Sequence, residues 1–111
     1  MRTNKEVSNR QETNVAKVLG GYRTANSGAT AFSKGDVIVK NCIIECKTKT
    51  REVGSFSVQK AWIKELNEEK IAMGKALSAL AISFDCGKSS YYVIDEKAMK
   101  LLLSVVNDEV S

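Results

Sequence analysis

The chain has 111 residues, 43% of them hydrophobic, and a formal net charge of +4. That length suits one domain with one core over 1–111, and the hydrophobic share excludes a disordered chain. No apolar run nears the roughly 20 residues of a membrane span and the N-terminus has no signal-peptide core, so a cytoplasmic protein with no membrane partner is expected.

In chain order, Ser8 is positioned to cap a helix over about 9–20, with Val15, Ala16 and Leu19 as its apolar stripe and Gly20-Gly21 as its stop. Glu12 leans toward the buried side of that helix, and residues 22–26 read as a short strand. "NSGATAFSKG" (26–35) reads as a loop. Val- and Ile-rich strands follow at 36–40 and 42–49. "SFSVQKAWIKELNEEKIAMG" reads as a serine-capped helix closing at Gly74, with Val58, Trp62, Ile63 and Leu66 on one face. "ALSALAISF" and "SSYYVI" are strands flanking a "DCGK" turn. Asp95 caps a last helix with Ala98, Leu101, Leu102 and Val105 inward. The order α-β-β-β-α-β-β-α predicts an α/β domain with a central mixed sheet flanked by helices.

Charge and side-chain inventory narrow the chemistry. Residues 1–60 carry 11 Lys and Arg against 5 acids, and the remainder 6 against 8. A basic half fits a polyanion such as nucleic acid, or ordinary solvation. There is no histidine, which removes imidazole as a base, and the three cysteines include no CxxC pair for zinc. Cys42 and Cys46 lie on one strand and cannot reach each other, while Cys86 falls in a turn.

The informative stretch is "KGDVIVKNCIIECK", where Asp36 and Glu45 interrupt a β-branched run. A two-residue turn at Lys40-Asn41 would set Val39 against Cys42, Ile38 against Ile43, Val37 against Ile44 and Asp36 against Glu45. The two acids would then be cross-strand neighbours with Cβ atoms about 4.5–5.5 Å apart. Strand period puts Lys47 on the same face as Glu45. Facing carboxylates repel, and a hard cation such as Mg²⁺, or Mn²⁺ in its place, would relieve them.

This pattern resembles the Asp…Glu-x-Lys signature of the PD-(D/E)xK nuclease superfamily. "QETNVAKVLGGYRTANSGA", then "KGDV" and "ECKTKT", is similar to the small Holliday junction resolvases and their phage-encoded relatives, over residues about 10–84. Gly35 stands where the motif's name has proline. The resemblance implies a restriction-endonuclease-like fold and a metal-dependent endodeoxyribonuclease acting on branched DNA, with junction resolution first among its activities. A same-fold enzyme for flaps, nicks or duplex sites, and a catalytically idle DNA-binding module, are the alternatives. It further implies that Asp36, Glu45 and the Cys46 backbone carbonyl hold the ion. Glu12 would act through water or on a second ion, and Lys47 would serve the chemistry. Ser27 matches a family loop serine, and Gln59 a helix residue near the metal. Arg23, Ser27, Lys34, Lys49 and Arg51 are expected phosphate contacts. Cutting two strands of a symmetric junction implies a homodimer, for which Met99, Leu103 and Val106 of the last helix are available.

Overall fold

The computed structural model describes residues 3–24 and 36–110. The expected loop over 26–35, with Ser27 and Lys34, lies outside the described residues.

Helix α1 spans Asn4–Leu19. It begins well before the expected residue 9, because Thr3 and Glu6 form a capping box in which the Thr3 hydroxyl accepts from the Glu6 N–H at 3.1 Å. Ser8 is therefore interior to the helix. Gly20 ends it in the left-handed conformation (φ 72°), as the glycine pair predicted. Its buried stripe is Val7, Gln11, Glu12 and Val15, whereas Leu19 remains exposed.

The remaining elements are β1 (Tyr22–Arg23), β2 (Val37–Val39), β3 (Cys42–Thr48), α2 (Lys60–Ala72), β4 (Leu77–Ser83), β5 (Tyr91–Val93) and α3 (Glu96–Val110). Their order and kind agree with the sequence reading. The five strands form one mixed sheet in the order β1-β2-β3-β4-β5, antiparallel except for β3–β4. The parallel pair is joined through α2, as a parallel crossover requires.

Alternation along the strands builds two cores. On one face Val37, Ile44, Ala79 and Ala81 pack with Val15 of α1. On the other, Ile38, Ile43, Leu80 and Ile82 pack with Leu66 of α2, joined by Phe56, Trp62 and Ile63. Helix α2 is shorter than expected. Gln59 is its N-cap, not a serine, and Val58 precedes it, exposed. The run 55–59 has the composition of a cap but is spent as irregular chain leading to the helix.

Helix α3 is capped by Asp95, which accepts from the Ala98 N–H at 2.8 Å. Only Ala98 of its expected inward face is buried; Leu101, Leu102 and Val105 are 46%, 41% and 50% exposed. Its apolar residues run almost without break from Ala98 to Val106, so they encircle the helix, and one line of contact cannot cover them.

A clamp ties α1 to the turn after β4. Arg10 donates to the Cys86 carbonyl through both Nε (2.9 Å) and Nη2 (2.6 Å), and Asn14 donates to the Gly87 carbonyl at 3.0 Å. Gly87 has φ +87°, and a Cβ there would lie 2.6 Å from the Val7 carbonyl oxygen. Only glycine fits both conditions.

Candidate active site on strand β3

The hairpin register is the predicted one through Val39↔Cys42, Ile38↔Ile43 and Val37↔Ile44. The turn is Lys40-Asn41, with the positive φ (48°) at Lys40 and not at the asparagine.

The ladder then departs from expectation. Asp36 does not pair with Glu45. Its N–H donates to the Ile44 carbonyl at 2.8 Å, although Val37 already pairs with Ile44. Two residues of one strand thus answer one of the other, as in a β-bulge. The Asp36 carboxylate accepts the Cys46 N–H at 2.7 Å. Opposed carboxylates would repel, whereas this arrangement gives Asp36 a charge-assisted bond to backbone.

Glu45 and Lys47 share the face that α2 covers, and Cys46 points to the α1 side. Lys47 Nζ lies 3.9 Å from Glu45 Oε1 and 4.5 Å from the centroid of the Trp62 ring. Glu65, Leu66 and Glu69 of α2 complete the same small recess. Glu12 approaches from α1 and is held by Arg23, whose Nη2 lies 3.0 Å and Nε 3.2 Å from Glu12 Oε1. Arg23 also donates to Asn9 Oδ1 at 2.9 Å.

The acids sense one another. Burial, then the charge of Asp36, raises Glu45 from its ordinary 4.5 to about 7, with smaller contributions from Glu69 and Glu12 and a lowering one from Lys47. Glu12 is raised by burial and by Asp36, against the pull of Arg23. Asp36 is raised by burial, against the Cys46 N–H and the charges of Lys47 and Arg23. Burial chiefly, aided by these carboxylates, pushes the Cys46 thiol far up, so it is no thiolate ligand.

The structure thus gathers Glu12, Asp36, Glu45 and Lys47 and leaves others apart. Arg23 is bonded to Glu12 and Asn9 through Nε and Nη2. Lys49 lies over Phe56 at 5.2 Å, and Arg51 is exposed. Gln59 is exposed at the head of α2 and makes no side-chain cap. Among the described residues no three acidic or thiol side chains converge on one point as ligands of one ion. Asp36 and Glu45 offer oxygen atoms only, the donor chemistry that suits a hard dication, while Glu12 is bonded to Arg23.

Two contributors were not anticipated. Gln11 is fully buried and donates to the Ala81 carbonyl at 3.0 Å and to Ser90 Oγ at 3.2 Å. It anchors α1 one residue from Glu12, and its place between Val7 and Val15 at four-residue spacing was the available signal. Glu69 follows Trp62 and Leu66 along the same helical stripe, which places it toward the sheet. No protein-family model, curated protein or solved structure matches the chain.

Proposed function

We propose that this protein is a metal-dependent endodeoxyribonuclease of restriction-endonuclease-like fold that hydrolyses phosphodiester bonds in branched DNA, with four-way junctions as its first substrate. The reading is supported by one observation above all: Glu12, Asp36 and Glu45 are all raised, the charge of Asp36 raises the other two, and Lys47 stands beside Glu45. The resemblance to PD-(D/E)xK nucleases adds the order of these residues.

Asp36 and Glu45 would hold Mg²⁺ or Mn²⁺, with the Cys46 carbonyl beside them. When bound, the ion supplies Lewis-acid compensation for charge on the reacting phosphoryl group. The other tasks fall to the chain. Arg23 holds Glu12 through Oε1 and opposes the rise that burial and Asp36 impose on it. Lys47 places a compact positive charge where negative charge develops. Lys49 and Arg51, at the exit of β3, contact phosphates without reading sequence. In the reaction a water oxygen bonds to phosphorus, one phosphorus–oxygen bond breaks, and the departing oxygen gains a proton. A second copy joined through the exposed apolar side chains of α3 would supply the second cut.

The test incubates the protein with four-way junction, flap and linear duplex DNA, in Mg²⁺ and in EDTA. Symmetric junction cleavage that needs the metal is expected. Cutting of flaps or duplex alone would reassign the substrate, and tight binding without cutting would leave an idle DNA-binding module. Asp36→Asn and Glu45→Gln are each expected to abolish cleavage and to leave DNA binding at least as tight.

A further inference from the structure

The contact between Lys47 and Glu45 is too long to orient the lysine. At 3.9 Å it exceeds hydrogen-bond range, so it gives attraction without direction. Two more acids, Glu65 and Glu69, line the same recess and compete for the ammonium. What fixes its position is the aromatic face beneath it, 4.5 Å away. Trp62 is well suited to this, since indole is the strongest of the aromatic faces for a cation. The ring is itself braced: Phe56 meets it edge-on at 6.5 Å, and Phe84 meets Phe56 at 6.3 Å. That row ties the indole to the chain before α2 and to the end of β4.

We propose that Trp62 is a positioning residue for Lys47, holding the ammonium beside Glu45 and away from the acids of α2. The inference rests on the nuclease reading for its catalytic consequence, but not for the contact itself. Trp62 touches neither DNA nor metal in this role; it acts through the lysine. The chain has a single tryptophan, so its emission reports the surroundings of Trp62, where this contact lies.

Two measurements on the full chain test it. The first is tryptophan emission of wild type, Lys47→Met and Lys49→Met, with circular dichroism confirming the fold. Lys47→Met is expected to change the emission and Lys49→Met, whose cation sits over Phe56, to leave it as in wild type. Unchanged emission in folded Lys47→Met overturns the proposal. The second is cleavage kinetics. Trp62→Leu is expected to lower kcat by about 2- to 30-fold, with KM within about twofold of wild type. Trp62→Phe, which restores an aromatic face, recovers most of that loss. Equal kcat in the Leu and Phe variants overturns the positioning role. Should the wild type cut no DNA, the nuclease reading fails, and the proposal then stands or falls on the emission.

Discussion

Replacing Glu45 by glutamine should stabilise the metal-free protein at alkaline pH, although it removes an ion pair. Glu45 is raised from 4.5 to about 7 by burial and by the charge of Asp36. Between those values the folded chain binds a proton that the unfolded chain has released. Stability therefore falls as pH rises through this window, and the full cost is present above the folded value. The displacement corresponds to at most about 3 kcal/mol. The Glu45 side chain is 30% exposed, so water screens part of it, and about 1–2 kcal/mol is the expected gain from glutamine at pH 8. Lys47, at 3.9 Å, returns too little to reverse the sign.

The assay is thermal unfolding of wild type and Glu45→Gln in EDTA from pH 4.5 to 8.5. The curves should nearly meet at the acid end and separate progressively, with the variant some 3–10 °C higher at pH 8. Glu12 and Asp36 are raised as well, so the variant keeps a shallower decline of its own. A variant that melts below wild type at pH 8, or a gap of constant size at every pH, would refute the claim that burial and repulsion dominate Glu45.

Added Mg²⁺ should raise the melting temperature of wild type more at pH 8 than at pH 5.5, because protons compete for the same carboxylates; a hundredfold excess over Kd is worth about 2.7 kcal/mol. Asp36→Asn should lose most of that rise in the same calorimetric series. Arg23→Ala removes the two influences that lower Glu12 and should cost about 1–2 kcal/mol at pH 8, discounted for an arginine 39% exposed, and much less at pH 4, as denaturant melts at the two pH values can show. Gly87→Ala should cost more than about 2 kcal/mol, since strain at φ +87° adds to a clash with backbone of α1; urea midpoints measure it. Leu103→Lys should shift the sedimenting species toward monomer without lowering the melting temperature of dilute protein, because Leu103 is 44% exposed in the single chain.

Much of the architecture was legible because it rests on periodicity. The β-branched alternation of 37–48 fixed both faces of the hairpin, and a register slip would have buried the wrong residues. The bulge at Asp36 was not legible. It adds one residue at the end of a ladder and leaves no periodic trace; it brings the Asp36 carboxylate to the Cys46 N–H. The start of α2 was misplaced because serine favours caps and extended segments alike. In α3 apolar residues occupy nearly every position, so the sequence could not say which ones face the sheet. Of the candidate cluster, Asp36, Glu45 and Lys47 were singled out by residue type and strand period, and Glu12 by the resemblance. The pairing of Arg23 with Glu12 was not, since β1 is only two residues long and its side-chain direction depends on the pairing with β2.

The way each acid is compensated bears on how the site works. Alternation along β3 sends Glu45 to the α2 face, while Asp36 spans to the Cys46 amide and Glu12 arrives from α1. Three carboxylates therefore come near one stretch of strand, each with its own nearest contact. Arg23 takes Glu12, a backbone N–H takes Asp36, and Lys47 takes Glu45 at longer range. These contacts offset enough of the repulsion for the chain to fold with the carboxylates in place, yet all three remain raised. The weakest compensation belongs to Glu45, which is also the most strongly shifted. A dication would thus gain most at Glu45, and binding there would displace a proton near neutral pH instead of rearranging the backbone.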